Sequence, residues 1–288
     1  MYAYYRQNGR QLPWRYETDP YKILVSEVML QQTQVGRVIP KYREFLKQFP
    51  TGGALASAPL QSVLAVWQGL GYNRRAKYLK DAMGIILRDP HYAFVRNFKK
   101  QISNSKNNKS SERQNTDSAD VSHVENMTNL LDKLPGVGHA TACAIVTYAF
   151  NLPTLFIETN IRAVFLYFFF KEKEHISDTE LMFYVKKTMD YRSPRDWYYA
   201  LTDFGAMLKT KEKFSNTQSK QYTRQLQFQG SLRQVRGAIV RSCITSGRVG
   251  IEEMSTETGF DRSRIRLAVE GLVRDGLLVR EGMAYRLA

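Results

Sequence analysis

Three short stretches place polar groups where a chain built only to pack has little use for them. In "KILVSEVMLQQTQV" (22–35) a lone carboxylate, Glu27, stands among Ile23, Leu24, Val28 and Leu30, and Gln31, Gln32 and Thr33 follow. The three-to-four spacing of the apolar residues predicts a helix, and burial within it would raise the carboxyl pKa and favour a proton donor. "LPGVG" (134–138) has two glycines ahead of a helix of small residues, a turn whose backbone N–H groups make a cradle for phosphate. A second carboxylate, Glu158 of "PTLFIETNIRAV", comes 20 residues after Gly138 and directly before a helix starting near Thr159–Asn160. The positive end of that helix favours an anion. Each feature also has an ordinary reading: a solvated helix glutamate for either carboxylate, an interhelical turn for the glycines.

The elements that must position these groups are helical. Residues 18–98 read as successive amphipathic helices, and the pattern returns in "VENMTNLLDKLPGVGHATACAIVTYAF" and persists to about residue 209. Between them, 99–120 is almost devoid of apolar residues, which predicts a solvated, disordered insertion. Strand signals are nearly absent before residue 276. Residues 210–229 read as a polar linker, and 230–288 as a separate unit: a helix, a helix–turn–helix with Asp261 capping the third helix, and a two-stranded hairpin in "LLVREGMAYRLA". That order is the winged-helix order. The unit contains ten arginines and no lysine, and its third helix presents Arg262, Arg264 and Arg266 to DNA or, alternatively, to a protein.

With 288 residues, 43% of them hydrophobic, the chain is long enough for two domains with sizeable cores. The 42 Lys+Arg against 27 Asp+Glu give a net charge of +15, which suits a polyanionic partner. No apolar run is long enough to cross a bilayer and no signal segment opens the chain. The expectation is a cytoplasmic protein, nucleoid-associated if prokaryotic. Cys143 and Cys243 are the two cysteines, too few for a four-thiolate cluster.

Taken together, "LPWR", "PYKILVSEVMLQQTQV", "WQGLGYNRRAKYL", "LPGVGHATACAI" and "FIETNIRAV" resemble, in order and spacing, the helix–hairpin–helix DNA glycosylases of base excision repair. The pattern is most similar to the adenine DNA glycosylases (MutY-like), which remove adenine mispaired with 8-oxoguanine. The resemblance covers about residues 12–209 and implies a mainly α fold: a two-lobed helix–hairpin–helix glycosylase body (1–209) followed by the winged helix. It implies double-stranded DNA with a mismatched or damaged base as partner, and a monomeric enzyme. Glu27 would be the acid that protonates the leaving base and activates water, and Glu158 the anion beside the developing oxocarbenium ion. Because a base in a duplex must be flipped out, Gln32 and Thr33, with Leu30 and Gln31 beside them, would form the wedge, and Tyr72 would intercalate beside the opposite base. Trp14 and Arg15 would wall the base pocket, and Asn160 would join the residues that contact the substrate DNA. Leu134, Pro135, Gly136, Val137 and Gly138 would form the phosphate-binding hairpin, where the resemblance also implies a monovalent cation.

Four departures from the family pattern stand out. Glu158 replaces an aspartate. Ala140 occupies the position of the Schiff-base lysine of lyase members. The four cysteines of the iron–sulfur cluster are missing, and the winged helix stands where relatives carry a β-rich domain that recognises 8-oxoguanine. The rival readings are a mismatch-specific uracil or thymine glycosylase and a non-catalytic winged-helix regulator. From the cysteine count, the purified protein is expected to be colourless, without absorbance at about 400 nm; stoichiometric iron in elemental analysis would contradict this.

Overall fold

The computed structural model describes residues 1–97, 117–223 and 227–288, without the side chains of 117–120. Its contacts divide the chain into two compact units, Met1–Glu27 with Asn97–Arg224, and Val28–Arg96 with Gln225–Ala288. Among the described residues no helix is long and apolar enough to cross a membrane.

The first unit contains α1 (Tyr2–Asn8), a 3-10 turn at Pro13–Tyr16 and the start of α2 (Pro20–Leu30). It continues with α8 (Asp117–Asp132), α9 (His139–Phe150), α10 (Thr159–Phe169), α11 (Asp178–Thr188) and α12 (Pro194–Thr210). The extended stretch ahead of α10 carries Glu158 and is fixed by Tyr198 of α12, whose hydroxyl accepts from Phe156 N at 3.1 Å and donates to Thr154 O at 2.9 Å. Helix α12 passes so close to the start of α10 that a Cβ on Gly205 would lie 2.1 Å from the Asn160 carbonyl oxygen. Only glycine permits that approach.

The second unit contains α3 (Val35–Gln48), α4 (Gly52–Ser57), α5 (Leu60–Trp67), α6 (Arg74–Arg88) and α7 (Ala93–Arg96), packed around the fully buried Phe45, Leu64, Trp67 and Leu79. To it belong α13 (Leu232–Ser246), β1 (Arg248–Gly250), α14 (Ile251–Thr258), α15 (Arg262–Arg274), β2 (Leu278–Glu281) and β3 (Ala284–Leu287). The three strands form an antiparallel sheet in the order β1-β3-β2, completing a winged helix. This module is pinned to the rest of its unit. Asp275 takes both Arg74, at 3.1 Å, and Arg236, and Gln61 Nε2 donates to Ile244 O at 3.3 Å.

The fold class is the expected one: mainly α, with a small C-terminal β-containing winged helix. Three details differ. Strand β1 escaped the sequence reading because three residues, "RVG", are too few to show alternation. The polar stretch 99–120 lies mostly outside the described residues, but from Asp117 it forms the first turn of α8. Within 210–229, Asn216 is buried and donates to Thr159 O at 2.8 Å, while Gln218 donates to the Phe170 and Lys171 carbonyls. Gln218 thus serves carbonyls at the end of α10, and Asn216 one at its start.

Gly205→Ala is expected to lower stability by about 1–3 kcal/mol, the usual cost of overpacking. Denaturant unfolding checks it; an unchanged midpoint would contradict the close approach of α12 to Asn160.

Candidate active site

Helix α2 turns Glu27 toward a densely packed interior. Glu27 itself is half-buried. Burial, with a smaller contribution from the charge of Glu158, pushes the Glu27 carboxyl up to about 8. Tyr148 and Tyr199 flank it electrostatically: each is pushed up, chiefly by burial and next by the Glu27 charge. Their rings stack with centroids 4.7 Å apart and an angle of 11°.

Glu158 is the N-cap of α10. Its Oε1 accepts from the Asn160 and Ile161 amides at 2.9 and 3.0 Å, and Asn160 Nδ2 lies 3.3 Å from Oε2. The extra methylene relative to aspartate is therefore accommodated in an ordinary cap, with the carboxylate on two of the orphan N–H groups of the helix. Asn160 is held in turn by Lys209, whose Nζ donates to its Oδ1 at 2.9 Å. Burial pulls the Lys209 pKa down and the charge of Glu158 opposes that.

The expected pocket residues from "LPWR" are buried beside this cluster. Arg15 presents its guanidinium to Asp203, with two contacts of 2.6 Å, and stacks on Tyr199 with 4.6 Å from guanidinium carbon to ring centroid. Asp203 also receives Arg10, through Nε at 2.5 Å and backbone N at 2.9 Å. Burial pushes the Asp203 carboxyl up, but the Arg15 hydrogen bonds and charge more than reverse this and hold it below its usual value. Arg15 thus supports Tyr199 from behind, and Trp14 is buried at 4% exposure.

At the hairpin, Leu134 and Val137 point into the core and Val137 N bonds Leu134 O at 3.1 Å. Gly136 has φ +74°, a conformation that favours glycine. Gly138 has no such need, and a Cβ there would meet nothing within 4 Å. Its bareness leaves room for an approaching group instead.

The residues expected to form the wedge belong to the second unit. Gln32 and Tyr72 both have left-handed backbones, φ +53° and +49°, uncommon for non-glycine residues and frequent at functional sites. One buried guanidinium fixes both turns. Arg75 NH1 donates to the carbonyls of Val28 (2.7 Å), Met29 (2.9 Å) and Gln31 (2.6 Å). Its NH2 donates to Thr33 Oγ1 (3.0 Å), Leu70 O (3.2 Å) and Gly71 O (3.0 Å). Leu30 is half-buried at the end of α2, and Gln31 adjoins it in the turn. On α15, Arg262 pairs with Glu252 at 2.5 Å, Arg264 bonds Gly230 O and lies over the Phe260 ring, and Arg266 is exposed.

Tyr148, Tyr199, Arg75, Asp203 and Lys209 are additions to the residues read from sequence. Asp203 carried the signal that drew attention to Glu27, a lone carboxylate in an apolar run, "WYYALTDFGAML". The iron–sulfur cluster of relatives does not fit this donor set. Cys143 and Cys243 are buried free thiols, each pushed up to about 11 chiefly by burial. Among the described residues no group of three or more His, Cys, Asp or Glu side chains could hold a metal.

Residues 25–188 match the family model described as "HhH-GPD superfamily base excision DNA repair protein". An adenine DNA glycosylase of Buchnera aphidicola (subsp. Baizongia pistaciae) is 32% identical over 213 residues, covering 72% of this chain and 51% of that protein. The adenine DNA glycosylase of Mycobacterium tuberculosis (CDC 1551) is 34% identical over 165 residues, 57% of this chain and 44% of the relative. The chain thus spans about half the length of the curated relatives it matches. In fold it is similar to a thermostable thymine-DNA glycosylase, with a TM-score of 0.55 and 21% identity over 74% of this chain and 86% of that one.

Glu27 holds its proton in the folded state to about pH 8, whereas an unfolded glutamate releases it near 4.5. Between these values the folded chain binds more protons, so this group's contribution to stability falls as pH rises. Glu27→Gln is therefore expected to gain stability over the wild type as pH rises from 4.5 to 8. Unfolding curves across that range check it; parallel curves would contradict the raised pKa.

Proposed function

Because the chain belongs to the HhH-GPD superfamily of base excision DNA repair proteins, we propose that it is a monofunctional DNA glycosylase. Its substrate on this reading is adenine opposite guanine or 8-oxoguanine. The feature that carries the proposal is the pair of unlike carboxylates: Glu27, half-buried in α2 with its carboxyl pushed up to about 8, and Glu158, locked as a helix cap whose charge Glu27 feels.

The protonated Glu27 gives its proton to a ring nitrogen of the extruded purine. The N-glycosidic bond breaks with its electron pair leaving on the base, and the sugar acquires oxocarbenium character. Glu158, aligned by the Asn160 and Ile161 amides, lies as an anion near that developing charge. The Glu27 carboxylate then takes a proton from water as the water oxygen bonds to C1′, which returns Glu27 to its starting state. The stacked Tyr148 and Tyr199 keep bulk water away and sustain the raised pKa. Ala140 offers no amine, so no Schiff base forms there and strands break only after alkali. The Gln31–Thr33 turn and Tyr72, fixed by Arg75, fill the space left by the flipped base. The hairpin 134–138 and the exposed Arg266 hold phosphates. The adenine preference draws its support from "SEVMLQQTQV" and from adenine DNA glycosylases among the relatives.

In single-turnover assays Glu27→Gln should bind duplex within a few-fold of wild type and release base more slowly by several orders of magnitude. Retained release would remove Glu27 from the chemistry. A duplex panel with A, U, T or hypoxanthine opposite G, 8-oxoguanine, C or T tests the substrate. Breaks are expected at adenine opposite G or 8-oxoguanine. Release of uracil or thymine alone would favour the mismatch-pyrimidine reading, and no release at all the regulator.

A further inference from the structure

The winged helix places an arginine on the proposed intercalating tyrosine. Arg233, in the first turn of α13, donates from NH1 to the Tyr72 hydroxyl. Its guanidinium carbon lies 5.0 Å from the Tyr72 ring centroid and 5.2 Å from that of Phe228, which is 53% exposed. Several other arginines of this unit are committed to carboxylates: Arg74 and Arg236 to Asp275, Arg262 to Glu252, Arg286 to Glu281. Among the described residues no carboxylate lies within ion-pair distance of Arg233.

This placement is built into the fold. Helix α13 is tied to α5 and α6 by the Asp275 and Gln61 contacts described above, and Arg75 fixes the Tyr72 turn in its left-handed form. The result is a guanidinium held between two aromatic faces at the tip of the loop that carries Tyr72. A guanidinium with donors to spare matches the paired acceptors O6 and N7 of guanine, and aromatic faces stack on bases. Phosphate binding alone would need neither ring.

We infer that Arg233, braced by Tyr72 and Phe228, reads the Hoogsteen edge of the base opposite the extruded nucleotide, with guanine as its ligand. This rests on the proposed glycosylase reading and adds a specificity-determining residue to it. The winged helix then belongs to the recognition site itself, and strand discrimination is supplied by the same unit that holds the wedge.

The test uses the full chain and duplexes in which an uncleavable tetrahydrofuran abasic analogue faces guanine, hypoxanthine, 7-deazaguanine or cytosine. Hypoxanthine keeps both acceptors, and 7-deazaguanine loses N7. Wild type should bind the guanine and hypoxanthine duplexes about tenfold or more tighter than the other two, as expected for one bidentate contact. Arg233→Gln should flatten this preference to within about twofold. Arg233→Lys keeps the charge but not the fork, so it should flatten the preference as well. Equal weakening on all four duplexes would overturn the inference in favour of a phosphate contact, and an unchanged preference would leave Arg233 with only a structural role. Adenine release from an A:G duplex by wild type is measured alongside. Its absence tells against the glycosylase reading, whereas release with no opposite-base preference tells against Arg233 alone.

Discussion

The buried guanidinium of Arg75 is the interaction on which the second unit depends. The end of a helix leaves carbonyls without partners, and around the end of α2 the Arg75 NH1 group reaches three of them, on Val28, Met29 and Gln31. The same group closes on Leu70 and Gly71, so two turns distant in sequence share one anchor. Removing it would leave several buried carbonyls unsatisfied, each costing about 1–3 kcal/mol. Desolvation lowers its pKa, but only to about 10, so the group stays charged at neutral pH and its full set of donors persists. The strained backbones at Gln32 and Tyr72 are maintained because this anchor over-determines them.

The first unit handles its carboxylates in three distinct ways. Asp203 is neutralised by Arg15 and Arg10 and serves as an anchor. Glu158 is spread over amide donors at a helix start and keeps a fixed orientation. Glu27 is half-buried and, among the described residues, in no ion pair, and desolvation raises its pKa and favours the protonated form. Unlike environments for otherwise similar groups separate an acid from an anion. The Arg15 guanidinium lies over the Tyr199 ring, which in turn stacks on Tyr148.

The winged helix shows how little a basic composition says about where charge is available. Of the four arginines on α15, Arg262 is paired with Glu252 and Arg264 is bonded to a backbone carbonyl. The cation placed at a proposed recognition element is on α13 instead. Docking through Asp275 explains why: once α13 lies along α5 and α6, its first turn meets the Tyr72 loop.

Much of this was determined by sequence alone, and for a local reason. Helical spacing, the Asp261 and Glu158 caps, the glycine hairpin and the isolation of Glu27 are all decided within a few residues, so a linear reading reaches them. What required the tertiary structure was every relation that depends on through-space distance. Tyr148 and Tyr199 look like core aromatics until their rings stack beside Glu27. Gly205 looks like any helix glycine until the Asn160 carbonyl appears above it. Arg75 and Arg233 are two basic residues among 42, and although Arg75 falls in "WQGLGYNRRAKYL", no spacing shows what either side chain meets. Burial, hydrogen bonding and charge pairing are properties of the space around a side chain, and that space is assembled from segments up to about two hundred residues apart.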